Sequence, residues 1–176
     1  MLPYGARDFA TAFRTVRKNT IHAAEEIPET QYDFTPAPDV RSVRRLLTHM
    51  AFSDEFARAV HGQRMTSLDG LNFPELMARL TAEEQKPRSK DELIAVLRER
   101  GESFATLLDG LNDDLLAEHV VMPQGAQPAS KTRFEMLLGV KEHEMHHRAQ
   151  LMLMQRMVGL VPHLTRQMQE RFAARR

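Results

Sequence analysis

The stretch KEHEMHHRAQLMLMQRMVG, residues 141–159, holds three of the chain's eight histidines within five positions, set among Leu and Met. Imidazole is the side chain whose charge changes nearest neutral pH, and the commonest nitrogen ligand for a divalent metal. Four arrangements compete for His143, His146 and His147. They are satisfied core residues, a solvated helix face, a zinc-peptidase HExxH box, or part of a metal site completed from elsewhere. H-E-M-H-H at 143–147 matches HExxH literally, which would make Glu144 a general base. The extended peptidase pattern fails, because Gln150 stands where a glycine belongs and Leu153 where a third histidine belongs. Glu170 follows only beyond Pro162, and no strand is evident that could hold a peptide substrate. The peptidase reading is the weakest of the four.

On a helix turning about 100° per residue, His147 falls about 40° from His143, and Met136, Val140, Gln150, Met154 and Val158 lie within about 60° of it. His143 and His147 therefore share the middle of an apolar stripe, one turn apart, with His146 at its margin. A second segment repeats the signal. Ser42, Leu46, His49, Ser53, Phe56 and Val60 alternate by four and three residues, the spacing of a bundle seam, with His49 at its centre. Buried imidazoles need partners for their ring nitrogens, since an unpaired buried polar group costs roughly 1–3 kcal/mol. One divalent ion satisfies three rings together and leaves their other nitrogens free for supporting bonds. The expected ligands are His49, His143 and His147. His22, His61, His119 and His163 lie near helix ends or loops and read as surface or capping residues. Glu144 reads as solvated charge at the stripe's edge, Gln150 as an inward group able to bond a ring nitrogen or a ligand water, and Ser53 as a support one turn after His49. No catalytic acid or base is assigned.

The elements that must carry these residues are helical, with no convincing alternating run. The first helix is expected over about 6–27, burying Phe9, Phe13, Val16, Thr20 and Ala24. TQYDFTPAPD (30–39) cannot be helical throughout because of Pro36 and Pro38. The second helix starts from a cap at Asp39 or Ser42 and runs to His61–Gly62. FPELMARLTAEEQ reads as a short helix with Pro74 in its first turn, and 89–110 as a long one capped by Ser89 with Glu92 three residues on. NDDLLAEHV offers one more short turn, 120–131 is a Gly/Pro loop, and the last long helix runs from Lys131 to Val158 before Gly159. A short helix follows Pro162. The reading is an all-α, single-domain four-helix bundle over 1–176, with short extra helices in its connections and at its C-terminus.

Composition narrows the partners. Lys plus Arg and Asp plus Glu each number 24, so the net charge is zero, which argues against a nucleic-acid binder; Arg171, Arg175 and Arg176 form the one basic cluster. The chain has no cysteine, so any thiol chemistry needs an external thiol. Residues 1–20 lack a signal-like apolar stretch and no run is long enough to span a bilayer, so the expectation is a cytoplasmic protein with no membrane partner.

SVRRLLTHMAFSDEF (42–56) and HEMHHRAQLMLMQRMVGLVP (143–162), with the Pro, Gly and helix of 123–140 before the latter, resemble the DinB/YfiT-like superfamily of damage-inducible DinB-like proteins. They are similar to that family's Ser-Val-x-x-Leu-Leu-x-His and His-x-x-x-His-Arg-Gly-Gln blocks, with Ala149 in place of the usual glycine. The resemblance implies a four-helix bundle with a long first crossover, often a homodimer. It also implies a metal triad on His49, His143 and His147, holding one divalent ion such as zinc or nickel. Relatives include metal-dependent transferases using low-molecular-weight thiols such as bacillithiol or mycothiol, and a thiol-dependent isomerase. The implied activity is a detoxifying thiol S-transferase acting on a small electrophile. The alternatives are a non-catalytic metal-binding or interaction protein and, less favoured, a metal-dependent hydrolase. An enzyme needs a pocket opening onto the metal with cationic or polar groups, whereas a structural site is closed by a fourth protein ligand. The loops 63–72 and 112–130 are expected to shape any such mouth.

Overall fold

In a computed structural model that describes residues 4–175, the apolar stripes of the long helices close on one another. Helix α1 spans Ala6–Glu26 and buries Phe9, Phe13, Val16, Thr20 and Ala24 on one side. A crossover containing the two prolines leads to α2, Val43–Phe52, whose Ser42 side chain accepts from the Arg45 amide at 3.4 Å. Asp39 is not the cap; it turns the chain with φ of 63°. The expected single helix to Gly62 is broken at Ser53–Asp54 into α2, a short α3 (Glu55–Ala57) and a π turn over Arg58–Gly62. Ser53 Oγ donates to the Met50 carbonyl at 3.0 Å, and the buried Asp54 carboxylate accepts from Arg100 at 2.9 Å and from Arg58. Such local side-chain bonds compete with the helix ladder.

Helix α4 (Phe73–Gln85) is mostly exposed; α5 (Lys90–Asp109) is long and opens on the expected Ser89–Glu92 capping box. After α6 (Asp113–Ala117), a small antiparallel pair forms between β1 (His119–Val121) and β2 (Ser130–Thr132). Its strands are three residues each, too short to leave an alternating signature in the sequence. Helix α7 (Arg133–Met157) begins on the Thr132 cap and stops before Gly159, whose φ of 84° is a left-handed conformation that glycine adopts freely. Helix α8 covers His163–Ala173. No described helix is long and apolar enough to cross a membrane.

The molecule is a four-helix bundle. Helix α1 packs on α5 and α7, and α2 also packs on α5 and α7, so α1 and α2 stand across the bundle's diagonal. That arrangement is why the connection over 27–42 has to be long. The core has two large parts and a small third around Val60, Leu68 and Val120. One large apolar cluster gathers Ile27, Tyr32, Leu47, Met50, Leu97 and Leu151; the other gathers Phe9, Phe13, Phe104, Leu108, Leu116 and Leu137. Between them lies a polar layer formed by Arg17 and Glu144.

Candidate metal centre

Helices α2 and α7 bring His49, His143 and His147 together. One ring nitrogen of each lies within 4.8 Å of the other two, and His143 Nε2 stands 3.1 Å from the Nε2 atoms of both His49 and His147. His147 is buried and the other two are half-buried. The one-turn spacing on α7 and the seam on α2 bring the three rings to one place. Backbone direction does the aiming, because Cβ vectors at i and i+4 on a helix run nearly parallel.

The outer nitrogens decide what the inner ones can do. His49 Nδ1 donates to Glu84 Oε1 at 2.9 Å, and a carboxylate can only accept, so in the neutral ring Nε2 carries the lone pair. His147 Nδ1 donates to Gln150 Oε1 at 2.7 Å, which leaves its Nε2 in the same state. Two lone pairs thus face His143 Nε2, and one proton there can serve only one of them. A divalent cation among the three nitrogens serves all three, so the donor set fits a metal ion. Burial, with His147 and His49 close by, holds His143 down to about 4, and burial lowers His147 despite the Gln150 bond. Both rings are therefore neutral, and able to ligate, at neutral pH.

Glu84 went unnoticed in the sequence, where the Glu-Glu-Gln end of a short helix looks solvated. In the fold, α4 packs on α2 and buries only Leu76 and Glu84. Burial works against the Glu84 carboxylate, but hydrogen bonds from His49 and Arg41 outweigh it and hold the group at about 2. Arg41 Nε donates to Glu84 Oε2 at 2.9 Å, and Arg45 reaches the same oxygen at 3.4 Å. Gln150 bonds a ring nitrogen as expected but is exposed, not inward; its Nε2 also donates to exposed His146 Nε2 at 3.1 Å. Ser53 bonds the backbone of its own helix and takes no part at the histidines.

Three expectations need correction. Glu144 is fully buried, its carboxylate 2.8 Å from Arg17 Nε, so it is neither solvated nor turned to the histidines as a peptidase base would be. His61 and His163 are each 2% exposed and are not surface residues. The mouth beside the histidines is not made by 63–72 and 112–130. A cleft of about 410 Å³ is lined by Pro36, Val40 and Arg41 of the crossover and by His147, Gln150 and Met154 of α7. The two expected loops instead meet at Leu68, Leu71, Met122 and Pro123, around a separate apolar cavity of about 530 Å³. A groove of about 520 Å³ on the α1–α5 edge is lined by charged residues and touches none of the three histidines.

The bundle is shared with solved structures. YfiT from Bacillus subtilis, described as a probable metal-dependent hydrolase with an unusual four-helix bundle topology, matches at TM-score 0.71 and 17% identity over 91% of each chain. A DinB-like protein from Bacillus subtilis matches at TM-score 0.63 and 20% identity over 86% of this chain and 91% of its own. The colibactin self-resistance protein ClbS, in complex with a dsDNA, matches at TM-score 0.64 and 17% identity over 88% and 98%. No curated protein matches the chain. The family model of the DinB superfamily matches residues 12–151, a span that takes in α2, most of α7 and all three clustered histidines. With well over half of its length inside that match, the chain belongs to the DinB superfamily.

Proposed function

We propose that this protein is a metal-dependent enzyme that binds one divalent ion at His49, His143 and His147 and transfers a low-molecular-weight thiol to a small electrophile. The observation that carries the reading is the open side of the site. Among the described residues no fourth His, Cys, Asp or Glu donor joins the three nitrogens, and His147 and Gln150 line a cleft that Arg41 also lines. A purely structural ion is normally enclosed by four protein ligands. A bound divalent ion supplies a positive centre that favours the deprotonated form of a thiol or water brought to it. The chain's own part is to hold two rings with their lone pairs inward, through Glu84 and Gln150. Arg41, fixed by Glu84 and partly exposed, offers a cation to the carboxylate of an acidic thiol. Leu46, Leu153 and Met154 give the electrophile an apolar wall. With no cysteine in the chain, the sulfur is the cosubstrate's.

A metal-dependent hydrolase is the second reading, favoured by the likeness to YfiT. The same centre would then act on water. We also propose a homodimer, on the exposed Met168 and Phe172 one turn apart on α8. The balanced charge leads us to propose no nucleic-acid partner, although the ClbS fold is seen on dsDNA.

The test uses protein loaded separately with zinc and with nickel, mixed with an acidic thiol and a halogen-bearing electrophile. Loss of free thiol is expected above the metal-free rate, abolished by His143→Ala and with a raised KM in Arg41→Ala. Ester cleavage without thiol loss would shift the reading to a hydrolase. Bound metal with neither reaction would leave a non-catalytic metal protein.

A further inference from the structure

A second cluster of metal-type donors lies where the last turn of α1 meets the first turn of α8. His22 and Glu26 are one turn apart on α1, and His163 is the first residue of α8. The His22 and His163 rings are 4.2 Å apart between centroids, and one nitrogen from each, with a Glu26 oxygen, lie within 4.8 Å of one another. His22 Nε2 donates to Glu26 Oε1 at 3.3 Å. His163 is buried; its Nε2 faces Asn19 Oδ1 at 3.4 Å, while its Nδ1 is buried with no partner. Glu26 also accepts from Arg166, on the same Oε1 that His22 meets, and from Gln155 Nε2 on Oε2 at 3.4 Å.

We propose that His22, Glu26 and His163 form a second divalent-cation site that pins α8 to α1. Two imidazoles and one carboxylate select borderline first-row ions such as cobalt, nickel or zinc over magnesium and calcium. His163 brings one ring nitrogen to the cluster, and His22 exchanges its hydrogen bond to Glu26 for shared coordination. The His22 side chain is 47% exposed, so water completes the shell. Arg166 is a partly exposed competitor for Glu26 and yields readily, since surface ion pairs are weak. The site therefore binds more weakly than the three-histidine centre. It stands apart from the first reading, because no residue is common to the two clusters.

The experiment counts cobalt(II) by mass spectrometry after equilibrium dialysis, with the visible cobalt absorbance followed in parallel. Four proteins are compared: wild type, His143→Ala/His147→Ala, His22→Ala, and the triple variant. Two ions, one, one and none are expected. In His143→Ala/His147→Ala, cobalt should also raise the melting temperature, and the rise should vanish in the triple variant. No ion in His143→Ala/His147→Ala, with circular dichroism showing it folded, overturns the second site whatever the first does. One ion there that survives His22→Ala overturns it equally. One ion in both wild type and His143→Ala/His147→Ala upholds the second site and removes the first.

Discussion

Arg17 Nε lies 2.8 Å from Glu144 Oε1, both side chains shut inside the bundle between its two larger apolar clusters. The same guanidinium donates to the Leu97 carbonyl and to the Met50 carbonyl, each at 3.0 Å. One side chain of α1 thus fastens α5, α2 and α7 at a single level. Its anchor points Met50 and Glu144 are the residues that follow His49 and His143. The register between the two ligand-bearing helices is set from behind the ligands.

Removing one partner of this pair strands the other charge in the core. Arg17→Met or Glu144→Met is expected to cost about 3–5 kcal/mol by urea unfolding, whereas changing both to Met costs markedly less. A double-variant loss equal to the sum of the two single losses would show that the pair does not act as a unit.

Gly101 on α5 faces Arg17 with no room to spare. A Cβ built there would sit 2.6 Å from Arg17 Cγ, an atom that cannot swing aside while its guanidinium holds three helices. Gly101→Ala should destabilise by about 1–3 kcal/mol through overpacking, despite alanine's better helix propensity. A more stable Gly101→Ala protein would mean that Arg17 has slack.

Glu84 is the residue whose loss should separate metal affinity from folding. Glu84→Ala frees the His49 ring to turn or to take its other tautomer, while the three ligands stay in the chain. Affinity for zinc, measured against a competing chelator, should fall about 10–100-fold with little change in the metal-free melting temperature. Gln150→Ala should weaken binding in the same direction through His147. Undiminished affinity in both would remove the supporting role given to these outer bonds.

Acid should weaken the metal-free protein. His143 is held at about 4 mainly by burial, and His61 also at about 4 by burial and by the nearby Arg133 charge. An unfolded histidine takes its proton near 6.5, so between about 6.5 and 4 the unfolded chain binds more protons than the folded one. These groups leave stability undiminished above about 6.5, erode it as the pH falls to about 4, and have no further effect below. For His61, only 2% exposed, that loss is on the order of 3 kcal/mol. Urea midpoints in chelator at pH 7, 5.5 and 4 should fall in order, and a flat series would contradict the burial argument.

The sequence by itself determined most of the helices and the inward faces on which His49, His143 and His147 stand, because each depends on short-range spacing. Ser89 with Glu92, Gly159 after α7, and the four-three seam through His49 act within a turn or two of chain. Tertiary structure alone decided which charged groups are inside. Glu144 at the rim of its stripe was drawn into the core by Arg17, from 127 positions away in the chain, and Glu84 on an otherwise solvated helix was placed behind His49. It also decided that the crossover, and not the later loops, walls the cleft. A helical period tells which way a side chain points from its own axis. Whether water, a guanidinium or an imidazole waits there depends on which helices lie across the diagonal, and that is settled by long-range packing.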